Sequence, residues 1–221
     1  TLQQSRIAGL LACTALLADL PGEQLQALAS SCQLVRYEMG QLICRQGQPS
    51  AHLWLLLEGN ARSVVRSRRL PRGIATLERP QAGALVGLGG TWQTVIASTP
   101  LVALAIPQLE LKRLMLDHPQ LGQRLEAHVD PAELFAVLEA HLADDPRDLG
   151  TALAQAAVRL TGNCQVRRSG PLDPQRLWLV ASGDRPLGEP VSEAPPGARL
   201  LGIDADALAE VLQPGRSHAA D

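Results

Sequence analysis

The stretch Gln81-Ala82-Gly83-Ala84-Leu85-Val86-Gly87-Leu88-Gly89-Gly90-Thr91-Trp92-Gln93-Thr94-Val95-Ile96-Ala97-Ser98-Thr99 decides the fold of this chain. It reads as two short apolar strands joined by a glycine-rich turn, because glycine alone reaches positive φ without steric cost. No charged side chain occurs anywhere from residue 80 to residue 109. A tight turn in that setting offers main-chain N–H groups and little else.

Composition sets the frame around it. A chain of 221 residues buries one large core or two modest ones. Hydrophobic residues at 46% and charged residues at 19% mark a globular protein. Aromatics supply only 2%, so packing falls to Leu, Val, Ile and Ala. A net charge of -2 gives no general drive toward nucleic acid or anionic lipid. Cys13, Cys32, Cys44 and Cys164 form no CxxC pair and have no His at ligand spacing, so they read as reduced apolar residues and no metal site is expected. No apolar run reaches the ~18 residues of a membrane span and no signal peptide is visible, so a cytoplasmic location is expected. The first residue is Thr1, which suggests a piece of something longer.

Upstream of the turn, apolar spacing from Leu10 to Leu28 predicts helix, broken at Pro21-Gly22 and resumed at Glu23. The pattern changes at Cys32. Short alternating segments follow, punctuated by Gly40, Gly47 and Gly59, as in an antiparallel sandwich or barrel. Downstream, residues 107–116 read as a helix with Pro107 at its first position. Helix continues from Pro119 to Leu142, with a fresh start at Asp130-Pro131.

These features together resemble a known family. "LVRYEMGQLICRQGQPSAHLWLLLEGNARSV" and "AGALVGLGGTWQTVIASTPLVALAIPQLELKRLM", with Gly40, Gly47, Gly59, Gly83 and Gly87 in order, are similar to the cyclic-nucleotide-binding domain. The resemblance covers about Leu10 to Leu142. It implies an eight-stranded antiparallel jelly roll with a helical lead-in, closing helices and a phosphate-binding cassette in the second half. Tyr37, Trp54 and Ile106 match its core positions. The fold class expected is mainly β with flanking helices, α+β overall, with residues 1–145 as the first domain and 146–221 as a smaller α+β domain.

The resemblance also implies a site. Such domains hold the ligand's phosphate with backbone N–H groups and an Arg, and its ribose hydroxyl with a Glu. Here the Glu position falls on Leu88 and the Arg position near Thr91. A charge-assisted hydrogen bond is worth roughly 1.5–3 kcal/mol, so losing two or three costs roughly two to four decades of affinity. What remains is a vestigial cassette of Gly87, Leu88, Gly89, Gly90, Thr91 and Thr94, with Trp92 as a filler of the emptied pocket. No cofactor is expected, a cyclic nucleotide being disfavoured. Arg79 is the one nearby base that could substitute.

Past residue 146 the chain lacks the basic recognition helix of a DNA-binding domain. Residues 150–160 read as one Ala-rich helix. An internal echo follows: Cys164-Gln165-Val166-Arg167 repeats Cys32-Gln33-Leu34-Val35-Arg36 with one residue missing. Leu177-Trp178-Leu179-Val180-Ala181-Ser182-Gly183-Asp184 repeats Leu53-Trp54-Leu55-Leu56-Leu57-Glu58-Gly59-Asn60, and Ile203 to Leu212 repeats Ile106 to Met115. Repeated order predicts an abbreviated copy of the same roll. Arg62, Arg66, Arg68, Arg69 and Arg72 form a basic hairpin around Leu70-Pro71, read as a solvated tip or as a docking point for an acidic partner or lipid headgroups.

No catalytic constellation is legible, so a non-enzymatic regulatory or docking module is expected. Its partner would be another protein or the remainder of a larger chain, and homodimerisation would use the helix from Pro131 to Leu142. Neither nucleic acid nor membrane insertion is expected. Architecture suggests the N-terminal region of a bacterial ABC exporter, at the inner face of the membrane. The competing reading is a cAMP or cGMP sensor that relies on main chain and hydroxyls.

Overall fold

The computed structural model describes residues 2–88 and 92–213. Its contacts divide the chain into two compact units. One holds the residues up to Val64 together with Glu78–His128, and the other holds Val65–Leu77 together with the residues from Val129 onward.

The first unit opens with helices α1 (Leu2–Ala12) and α2 (Gly22–Ser31). The helix expected from Leu10 instead starts at Leu2 and stops at Ala12, and the residues up to Leu20 form turns. Thr14 gives a local reason: its hydroxyl donates to the Leu11 carbonyl at 2.7 Å, drawing that acceptor into a turn. Ile7, Ala8 and Leu11 of α1, Leu17 of the turns, and Leu25, Leu28 and Ala29 of α2 are all buried.

Eight strands follow: β1 (Gln33–Tyr37), β2 (Leu42–Cys44), β3 (His52–Glu58), β4 (Ala61–Arg66), β5 (Ile74–Glu78), β6 (Leu85–Val86), β7 (Thr94–Ala97) and β8 (Leu101–Pro107). They form two antiparallel sheets, β1-β8-β3-β6 and β2-β7-β4-β5. This is the expected roll. The continuous apolar runs of β3 and β8 are explained by burial on both faces. Leu53, Leu55, Leu104 and Ile106 join the helical core, while Trp54, Leu56, Ala103 and Ala105 fill the roll's interior.

Gly59, at the end of β3, has φ of 83°, and a Cβ there would stand 2.3 Å from the Pro100 carbonyl. Only glycine fits that corner. Helix α3 (Gln108–Asp117) follows β8 directly. Pro107 was expected as its first residue. It instead closes the strand, opposite His52 in the ladder. Helix α4 (Pro119–Ala127) completes this unit.

The second unit begins its main run at α5 (Pro131–His141). Asp130 caps it by accepting from the Ala132 N–H at 2.7 Å. Leu134, Phe135, Val137 and Leu138 are at most 1% exposed, and the helix packs on α6 and β10, so the apolar stripe that dimerisation through it would use is covered within the chain. Helix α6 (Gly150–Leu160), a 3-10 turn (Thr161–Asn163), β9 (Gln165–Arg167), β10 (Arg176–Ser182), β11 (Arg199–Asp204) and α7 (Ala205–Val211) follow. The strands form an antiparallel sheet in the order β10-β11-β9.

A buried ion pair ties helix to sheet in this unit. Arg199 Nε donates to Glu133 Oε1 at 2.7 Å and Arg199 Nη2 to Glu133 Oε2 at 3.1 Å. The basic hairpin is anchored in the same unit. Ser67 Oγ donates to Glu139 Oε2 at 2.7 Å, and the Arg68 N–H to Glu139 Oε1 at 3.1 Å. Arg69 donates to the carbonyls of Asp145 and Arg147, each at 3.1 Å. Leu70 packs so closely on Gly150 that a Cβ there would meet its Cδ2 at 2.6 Å. Glu139 thus meets the hairpin through the Ser67 hydroxyl and the Arg68 main chain, and the Arg68 and Arg72 side chains stay exposed.

Two predictions follow from this packing. Truncating either member of the Glu133–Arg199 pair leaves a buried charge unpaired, so Glu133→Ala or Arg199→Ala should cost about 3–5 kcal/mol in denaturant unfolding. The double replacement Glu133→Leu with Arg199→Met should cost clearly less than the sum of the two single changes. Burial raises the Cys32 thiol to about 11 and the Cys164 thiol to about 12, both above their ordinary value. A thiol raised on folding favours the folded state below its unfolded value and loses that contribution as pH climbs from 9 toward 12. Alkylation at pH 8 should therefore label exposed Cys13 first and reach Cys32 and Cys164 only on unfolding, as read by mass spectrometry.

Candidate functional site

The cassette hangs between β6 and β7, at the junction of the two sheets. Its first residue, Gly87, has φ of 85° and is buried. A Cβ at Gly87 would meet the Trp54 ring at 3.1 and 3.2 Å, so the turn rests on that indole. Trp54 belongs to a buried cluster with Leu56, Val86 and Ala105, and Tyr37 packs against that cluster. Burial raises the Tyr37 hydroxyl above its ordinary value, and the neighbouring Trp54 indole opposes that rise. The His52 ring lies 6.3 Å from the Trp54 ring, centroid to centroid.

The expected site residues divide by position. Leu88, where the sequence resemblance leads one to expect the carboxylate position, packs against the helical core formed by α1 to α4 with the outer faces of β3 and β8. Thr94 has its hydroxyl engaged: the Gln46 N–H donates to Thr94 Oγ1 at 3.0 Å, stapling the loop before β3 to β7. Gly89, Gly90 and Thr91 lie outside the described residues. Trp92 is half-buried, and the indole that meets the Gly87 turn is Trp54. Arg79 is exposed just past the end of β5.

Two polar residues missed by the sequence reading lie inside the roll. Ser63 of β4 is fully buried and donates to Gln93 Oε1, and Gln93, just before β7, is 7% exposed. Two signals in the sequence point to this pair. Alternation along Ala61-Arg62-Ser63-Val64-Val65 turns Ser63 inward with Ala61 and Val65, and Gln93 stands immediately before β7. Its amide occupies interior volume directly after the cassette.

Elsewhere in this unit, Leu16, Asp19, Leu20, His118, Gln120, Leu121 and Arg124 line a small pocket, closed at one side by the Arg124–Asp19 ion pair. Its volume of about 30 Å³ admits a water or two, not a nucleotide. Among the described residues, no group of three or more His, Cys, Asp or Glu side chains is placed to hold a metal ion.

Residues 34–118 match the family model described as cyclic nucleotide-binding domain. The sensor domain of the transcriptional regulator DNR from Pseudomonas aeruginosa is 22% identical with a TM-score of 0.50, over 65% of this chain and 96% of that one. A cyclic nucleotide-binding protein from Geobacter metallireducens is 21% identical with a TM-score of 0.45, over 57% of this chain and 90% of that one. No curated protein matches the chain. With the two sheets, the flanking helices and the Gly87 turn in place, residues 34–118 have the β-roll fold of the cyclic nucleotide-binding domain, the family whose model they match.

Proposed function

We propose that this chain is a non-catalytic regulatory or docking module, built on a nucleotide-sensor roll whose ligand-holding groups have been replaced. The observation that carries the reading is Leu88. Where the family presents a carboxylate to the ribose, this chain has an apolar side chain packed with the helices. The absence of any charged residue from 80 to 109 in the sequence supports the same conclusion for the phosphate. The Thr94 hydroxyl and the Ser63–Gln93 pair are already committed to bonds within the roll. The output is then contact with a protein partner or with the rest of a larger chain.

The proposal extends to setting. Four free cysteines suit a reducing compartment, and no helix among the described residues is long and apolar enough to cross a membrane. A regulatory region of a bacterial ABC exporter, working at the cytoplasmic face, fits these features and the family's architecture.

Titration separates this reading from a sensor. Under the docking reading, millimolar cAMP, cGMP or cyclic dinucleotide leaves the unfolding midpoint unchanged. A sensor would gain about 2.7 kcal/mol at one hundred times Kd, and a gain of that kind overturns the proposal. Thr94→Val adds a second readout. As a structural staple, Thr94 should contribute roughly 1 kcal/mol to the stability of the unliganded protein. A residue reserved for ligand would leave that stability unchanged.

A further inference from the structure

The second unit repeats the first with a pattern of omissions that follows one rule. In the first unit, Gln33 on β1 faces Ala105 on β8, and Ala105 faces Trp54 on β3. In the second, Gln165 on β9 faces Gly202 on β11, and Gly202 faces Trp178 on β10. Register, direction and strand order coincide, with β9-β11-β10 standing for β1-β8-β3. The ladder irregularity recurs too: β3 shifts between Leu56 and Glu58, and β10 between Val180 and Ser182, each two residues past its Trp. Beyond each shift sits a positive-φ glycine, Gly59 or Gly183. A Cβ on Gly59 would meet the Leu101 backbone at 3.0 Å, and one on Gly183 would meet the Ala198 backbone at 3.0 Å.

The fourth strand of that sheet is matched bond for bond. The Leu56 N–H donates to the Ala84 carbonyl and the Gly83 N–H to the Leu56 carbonyl. Likewise the Val180 N–H donates to the Glu189 carbonyl and the Gly188 N–H to the Val180 carbonyl. Leu55 faces Leu85 as Leu179 faces Pro190. Helices flank the strands in the same places: α2 before β1 and α6 before β9, α3 after β8 and α7 after β11. By this register Arg167 stands opposite Leu200 as Val35 stands opposite Ala103, so the sequence echo Arg36–Arg167 is off by one.

The omissions are the informative part. Gln33 and Trp54 are 21 positions apart, Gln165 and Trp178 only 13, and the missing segment is β2. Gly59 and Gly83 are 24 apart, Gly183 and Gly188 only 5, and the missing segment is β4 with β5. Gly83 and Ala105 are 22 apart, Gly188 and Gly202 only 14, and the missing segment is the cassette turn with β7. Three separate shortenings remove the four strands of one sheet and spare the other.

We infer that residues 150–212 are the same roll with its β2-β7-β4-β5 layer excised, so that among the described residues they keep one sheet of the two that make the complete roll. The bare inner face of the second sheet is closed by other means. The Trp178 ring lies over Gly202, where a Cβ would come within 2.6 Å of it, and its indole N–H donates to the Asp173 carbonyl at 2.9 Å. Leu172, Val191 and Ala194, from the shortened connections, pack on Trp178, Val180 and Leu200. In the first unit the matching indole, Trp54, rests against the cassette glycine instead.

This inference is independent of whether the first roll takes a nucleotide. Nuclear magnetic resonance on the full chain tests it. Cross-strand contacts should link Gln165 to Gly202 and Gly202 to Trp178, and the Val180 and Gly188 amides should be protected from exchange as the Leu56 and Gly83 amides are. A register displaced by one residue, or β9 lying beside β10, would overturn it. Sequences of relatives supply a second measurement. Length changes in the second unit should gather at residues 168–175, 184–187 and 192–197, whereas insertions inside β10 or β11 would contradict an excised layer.

Discussion

The pairing of β3 with β8 is the constraint on which the first unit depends. Each strand buries both faces, so every position has a fixed neighbour and a one-residue slip would exchange the helical core for the roll interior. On the helical side Leu53 and Leu55 stand with Leu104 and Ile106. On the inner side the large Trp54 lies opposite the small Ala105, and Leu56 opposite Ala103. Large against small lets the two strands fill the roll without crowding it. The position of the indole fixes where Gly87 rests, and therefore where the cassette begins.

Around the Gly87 turn, the described side chains bond and pack within the first unit. In a ligand site, polar groups are left unsatisfied until the ligand arrives, and that readiness costs stability in the empty state. Here described polar groups close on one another: Thr94 on Gln46 and Ser63 on Gln93. Leu88 contributes apolar area to the helices.

Much of this was legible before any coordinates. Ordered glycines and two-faced apolar runs fixed the roll because they report backbone torsions and burial, which are local. The same locality made α6 readable to its ends and made Asp130-Pro131 a recognisable helix start. Long-range partners were not readable. Glu133 meets Arg199 across 66 positions, Ser67 meets Glu139 across 72, and nothing near either member announces the other. The apolar side of α5 looked like a free face for the same reason, since α6 and β10, which it packs against, lie later in the chain. Leu88 and Thr94 could be named from spacing, but their engagement with the helical core and with Gln46 could not.

The hairpin Val65–Leu77 has a further consequence. It is flanked on both sides by residues of the first unit, yet its anchors, Glu139, Asp145, Arg147 and Gly150, all lie beyond residue 138. A polypeptide cut back to residue 128 would keep every strand of the roll and still be incomplete, with Ser67 stripped of its carboxylate and Leu70 bared to water. The shortest piece of this chain able to satisfy its own hairpin extends at least to Gly150, so the hairpin's contacts are completed only after a ribosome has delivered residues well past the roll.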